Sequence, residues 1–122
     1  MIFLSKDHEE TYRRYIGKAQ VHPEDKERKS LFYILSGNSD LRTKDIKKIY
    51  DFKENMLCVG GPEGLEKLEE KFCLCSSSKA LLYLALNLYS SSYESLSFTD
   101  TFRHLGPENY RLVMQALKIR FE

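Results

Sequence analysis

Residues Ser76 to Tyr89, SSSKALLYLALNLY, constrain this chain more than any other stretch. Three serines lead into Ala80, Leu81, Leu82, Tyr83, Leu84, Ala85, Leu86, Leu88 and Tyr89. Leu and Ala are strong helix formers, and no β-branched residue interrupts them. A helix that is apolar on nearly every face must be enclosed by protein or lipid. The apolar run covers about ten residues, whereas a membrane span needs roughly 20. The stretch therefore predicts a buried central helix, about residues 78–89, with other helices around it. A chain of 122 residues fits one domain, 1–122, large enough to fold without staples.

The flanking segments supply those helices. Ser5 is a candidate N-cap, followed by Asp7, Glu9 and Glu10, which favour the positive end of a helix dipole. Tyr12, Tyr15, Ile16 and Ala19 then recur on one helical face, with Arg13, Arg14 and Lys18 opposite. Pro23 is placed to open a second helix, which buries Leu31, Phe32, Ile34 and Leu35 and stops at Gly37-Asn38. A third segment has Leu41, Ile46, Ile49 and Tyr50 inside and Lys44, Lys47 and Lys48 outside. Gly60-Gly61-Pro62 breaks the chain, and Pro62 starts a helix with Leu65, Leu68 and Phe72 as its apolar stripe. Met56 to Val59 and Phe72 to Cys75 are short apolar runs that would suit a minimal two-stranded ribbon. Ser90 to Ser97 reads as a surface loop. A turn of helix follows to Gly106, and Pro107 opens a last helix burying Tyr110, Leu112, Val113, Leu117 and Ile119. The expected fold is all-α, a compact bundle of five or six helices.

Several of these segments together resemble a small family of bacterial proteins of unknown function, common in Gram-positive species and their mobile elements. The resemblance rests on Leu31-Phe32-Tyr33-Ile34-Leu35-Ser36-Gly37-Asn38 with Leu41, and on Ile49-Tyr50-Asp51-Phe52-Lys53-Glu54-Asn55. It continues through Ser76-Ser77-Ser78 before Leu84-Ala85-Leu86-Asn87-Leu88-Tyr89, and ends in Leu117-Lys118-Ile119-Arg120-Phe121. It covers nearly the whole chain in order, and Gly60 to Cys75 is the part least shared. It implies a single compact domain and brings no activity, substrate or catalytic residue with it.

Nineteen basic and 18 acidic residues nearly cancel, so global charge marks neither a nucleic-acid binder nor an acidic mimic. Three cysteines are an odd and sparse set for a secreted disulfide framework. Met1-Ile2-Phe3-Leu4 turns charged too soon for a signal or transit peptide. The expectation is a cytoplasmic protein with reduced thiols and no membrane association.

Three constellations bear on chemistry. If the two short apolar runs pair, the thiolates of Cys58, Cys73 and Cys75 converge, and zinc would need a fourth ligand such as His22 or His104. The alternative is that these cysteines are small buried hydrophobes and no cofactor is bound. Ser76-Ser77-Ser78 lacks a G-x-S-x-G elbow and reads as a cap for the central helix through Ser77 or Ser78. Asp51 and Glu54 have no substrate placed between them, and Asn87 needs a polar partner within an apolar helix.

The one charge cluster is Arg42, Lys44, Lys47 and Lys48 with Lys53, diluted by Asp45 and Asp51. Helical spacing would put Lys44, Lys47 and Lys48 on one face, suited to phosphates or an acidic partner, or simply to water. With no catalytic constellation, the expected function is non-enzymatic binding of a macromolecule, a protein partner before a nucleic acid. The mobile-element association implied by the resemblance points to an anti-CRISPR-like inhibitor of a bacterial defence system. The alternatives are a small regulator touching nucleic acid through the lysines, and a small zinc-binding protein.

Overall fold

Ser5 accepts the His8 N–H at 3.1 Å and starts α1, Lys6–Ala19, as its position before an acidic first turn predicts. The computed structural model describes all residues, 1–122. The next helix, α2, is Lys26–Gly37. It begins after Pro23, because the Asp25 carboxylate takes the Arg28 N–H at 3.0 Å and makes Asp25 the cap. A one-turn helix, α3, Ser39–Arg42, follows immediately. Asn38 joins the two: it ends α2, and its Oδ1 accepts the Leu41 N–H at 2.9 Å to open α3.

After a 3₁₀ turn at Ile46–Lys48, strands β1, Tyr50–Asp51, and β2, Met56–Leu57, pair antiparallel with Tyr50 opposite Leu57. A ribbon therefore exists, but Met56–Leu57 pairs with Tyr50–Asp51 rather than with Phe72–Cys75. Asp51 Oδ1 accepts the N–H groups of Lys53 and Glu54 at 2.9 and 3.1 Å, and Asn55 adopts the left-handed conformation, which together close a tight turn. Phe72 is unavailable to a strand because it ends α4, Pro62–Phe72, and Cys73 caps that helix with φ 53°.

The remaining helices are α5, Ser76–Tyr89, α6, Phe98–Phe102, and α7, Gly106–Phe121. Seven helices thus form the all-α bundle, two of them single-turn pieces. The buried helix α5 lies at the centre as its composition requires, with Leu81, Leu82, Ala85 and Leu86 fully enclosed. Beside it, α2 is more enclosed still: every residue from Ser30 to Ser36 is buried, and the helix packs on α1, α5 and α7. Its two buried serines are satisfied within the helix, Ser30 on the Glu27 carbonyl and Ser36 on that of Phe32.

Polar ties pin the bundle. Asn38 Nδ2 donates to Asn109 Oδ1 of α7 at 3.1 Å, and Ser78 of α5 reaches Asn38 Oδ1 at 3.4 Å. Arg120 Nε donates to the Leu88 carbonyl at 2.8 Å, a cation at the negative end of α5. Asn87 donates to the Tyr93 carbonyl at 2.7 Å, which satisfies its amide and holds the loop after α5. Arg28 binds the hairpin, donating to the Tyr50 hydroxyl at 2.8 Å and the Asn55 carbonyl at 2.7 Å. No buried side-chain nitrogen or oxygen lacks a partner.

Candidate functional site

The basic segment does not form the helix face that its spacing predicts. Thr43 ends α3, and Asp45 takes an extended backbone while its carboxylate accepts the Lys47 N–H at 3.1 Å. This local bond competes with helix continuation, so Lys44 is separated from Lys47 and Lys48. Arg42 is occupied, donating to the Ser36 carbonyl at 2.8 Å near the end of α2. Lys44 is occupied as well, paired with Asp40 at 3.2 Å. Lys47 and Lys48 remain exposed. Lys47 shares a shallow hollow at the hairpin with Lys18 and Lys53, where Lys18 Nζ lies 4.6 Å from the centre of the Phe52 ring.

The cysteines do not converge, and they are not core fillers either: Cys58, Cys73 and Cys75 are all exposed. The strand pairing explains this, because it joins the segment before Cys58 to β1 and leaves Cys73 and Cys75 at the α4–α5 junction. No group of three His, Cys, Asp or Glu side chains is placed to hold a metal ion, and the three cysteines are not brought together. His22 instead accepts the Glu24 N–H at 3.0 Å in the turn before α2.

Cys75 itself occupies the N-cap position of α5, expected of Ser77 or Ser78, without a side-chain capping bond. Its sulfur lies 3.4 and 3.3 Å from the hydroxyls of Ser77 and Ser78. Those hydroxyls lower its pKa to about 7, helped by the backbone N–H of Ser78 at the helix start. Cys58 moves the other way, raised by burial and by the nearby Asp51 carboxylate.

A cleft runs between α4 and α5. At its wall Glu69 accepts the Tyr83 hydroxyl at 2.6 Å and pairs with Lys79 at 3.0 Å. Burial works to raise the Glu69 pKa, but the hydrogen bonds from Tyr83 and Lys79 outweigh it and the carboxyl is held low. Burial and Glu69 together push the Tyr83 phenol up to about 12. Tyr83 therefore stays protonated and Glu69 stays ionised against a cation. The arrangement ties α4 to α5; it poises neither a base nor a nucleophile near neutrality.

The feature that burial economy does not explain is an aromatic and apolar strip on α6 and α7. Phe98 is 81% exposed, Tyr110 51%, Met114 39% and Phe121 68%. The rings are contiguous: Phe98 and Phe102 centres lie 4.7 Å apart, and Phe102 meets Tyr110 edge-on at 6.1 Å. Along α7, Tyr110, Met114, the half-buried Leu117 and Phe121 follow a 4-3-4 spacing, one seam of a helix. The core contact of α7 is made mainly by Leu112, Val113 and Ala116, with the half-buried Leu117 packed against its edge. The sequence places Tyr110 inside with these residues, whereas it lies outside; the 4-3-4 spacing is the signal that α7 carries two apolar stripes.

The helical bundle is a small α-helical domain with an exposed apolar strip on α6 and α7. The chain belongs to a family of unknown function, DUF6075, which matches residues 1–122. No curated protein and no solved structure matches it. No helix is long and apolar enough to cross a membrane.

Proposed function

We propose that this chain is a non-enzymatic protein-binding domain whose contact face is α6 and the outer side of α7. The observation that carries the reading is the continuous exposure of Phe98, Tyr110, Met114 and Phe121. Exposed apolar residues scattered singly are ordinary, whereas a contiguous strip rimmed by polar residues marks an interaction site. Aromatic residues and Met are the side chains most enriched in such contacts. In this reading no cofactor is required, and the domain acts in the cytoplasm on a protein of a bacterial defence system. That last element rests on the resemblance to proteins of mobile elements.

A second reading is contact with nucleic acid through Lys18, Lys47, Lys48 and Lys53. It is favoured by Lys47, Lys48 and Lys53 making no ion pair within the chain.

Affinity capture from cells of the source organism tests the two together. Wild type should retain a specific protein that a folded Tyr110→Asp/Met114→Asp variant loses. Retention by both proteins alike would overturn the reading. Salt-sensitive recovery of nucleic acid alone, lost when Lys47 and Lys48 become Ser, would favour the second reading.

A further inference from the structure

The seam on α7 has a definite charge pattern. With Tyr110 and Leu117 at d and Met114 and Phe121 at a, the heptad puts Arg111 and Lys118 at e. Both are exposed, and neither makes an ion pair within the chain. The g flank is different: Val113 is buried in the core, and Arg120 is engaged with Leu88 and Glu27. The open edge of the seam carries Arg111 and Lys118, with Glu108 one turn before Arg111, and the other edge is closed by the protein's own fold. At the N-terminal end of α7, Phe102, Leu105, Pro107 and Tyr110 line a hollow of about 390 Å³ with Arg111 at its rim. That volume accommodates a large apolar side chain.

We infer that the partner lays an acidic amphipathic helix along α7, apolar at its seam and carrying Glu or Asp opposite Arg111 and Lys118. This rests on the protein-binding reading and names the chemistry of the partner. A helix of 16 residues is about 24 Å long, so a partner segment of about four turns would match it. The aromatic rings of α6 wall one end of the track, and an anchoring side chain enters the hollow beside Arg111.

A second copy of this chain fits poorly. In an antiparallel pair the e positions face one another, which sets Arg111 and Lys118 against the same cations. In a parallel pair they face Gly106, Val113 and Arg120, and no carboxylate is there. An anionic membrane surface is also disfavoured, because Glu108 is exposed one turn from Arg111 and would be driven toward the headgroups.

Two blocked three-heptad peptides test the inference, one with Leu at a and d and Glu at e and g, the other with Lys replacing every Glu. Like charges keep each peptide from self-pairing. Binding followed by ¹³C-methyl shifts of Met114 and by fluorescence anisotropy should show the Glu peptide at least about tenfold tighter, weakening with salt. Arg111→Glu/Lys118→Glu should reverse the preference, and Met114→Lys should abolish binding of both. Equal affinity for the two peptides, failure of both to bind, or shifts confined to other helices would overturn the inference. So would a dimer in sedimentation that Met114→Lys dissociates, or Met114-dependent binding to phosphatidylglycerol vesicles. Loss of partner capture in Tyr110→Asp/Met114→Asp without any peptide preference would defeat only the acidic helix. Unchanged capture by that variant would defeat the protein-binding reading itself.

Discussion

His8 Nε2 lies 3.0 Å from the carbonyl oxygen of Tyr33, linking the first turn of α1 to the middle of α2. The other ring nitrogen, Nδ1, accepts the backbone N–H of Leu4 at 3.1 Å. A carbonyl can only accept and an N–H can only donate, so the ring is neutral with its proton on Nε2. Phe3 and Tyr33 flank the ring at 5.1 and 4.5 Å, and the Tyr33 hydroxyl donates to the Ile2 carbonyl. Met1 to Leu4 is thereby fastened to the core through one uncharged imidazole.

Burial, with Arg42 as the nearby cation, lowers the His8 pKa to about 4 against the bond to Tyr33 that works to raise it. The unfolded chain binds this proton from pH 6.5 downward and the folded chain only near pH 4. Stability from His8 is therefore complete above pH 6.5 and is lost as pH falls through that window. The difference amounts to about 3 kcal/mol. Urea unfolding between pH 7.5 and 4 should show His8→Gln with a flatter pH dependence than wild type. Parallel profiles would mean that the imidazole is free to ionise in place.

Gly37 and Gly17 should respond oppositely to alanine. A Cβ on Gly37 would lie 2.3 Å from Leu112 Cδ1 and 2.9 Å from the His8 ring, both fully buried. Gly37→Ala should cost about 1–3 kcal/mol, because α7 and the imidazole must move together. A Cβ on Gly17 meets nothing within 4 Å inside α1, so Gly17→Ala should stabilise by about 0.5–1 kcal/mol. Thermal melts of the two variants decide it, and shifts of the same sign would contradict this packing.

Two leucines of α5 separate buried from half-buried. Leu86 is fully enclosed, and Leu86→Ala should cost about 2–5 kcal/mol. Leu84 is partly exposed, and Leu84→Ala should cost about 1 kcal/mol. Equal losses in chemical unfolding would place both side chains in the same environment and redraw the orientation of α5.

Thiol reactivity should rank Cys75 above Cys58. Near pH 7 about half of Cys75 is thiolate, given a pKa of about 7, whereas Cys58 is held protonated. Iodoacetamide labelling at pH 7, read by peptide mass, should modify Cys75 first. Ser77→Ala/Ser78→Ala should slow it by removing the hydroxyl donors. Faster labelling of Cys58 would show that the cap does not hold a thiolate.

Composition alone identified α5, since Ala80 to Tyr89 is apolar on almost every face and can sit only inside. It also placed α1, α4 and α7, where Ser5, Pro62 and Pro107 mark the starts and the apolar spacing marks the length. Those signals are local: a cap, a proline and a 3.6-residue period act within one or two turns. Three decisions needed the tertiary structure. Asp45 chose a bond to the Lys47 N–H over helix continuation, which divided the lysines into occupied and free. Tyr50–Asp51 won the pairing with Met56–Leu57, and that register kept Cys58 away from Cys73 and Cys75. Tyr110 and Leu112 both look like core residues in the chain, yet only Leu112 is buried, beside Gly37 of α2; which stripe of α7 stays uncovered depends on how the neighbouring helices pack, and no local pattern contains that information.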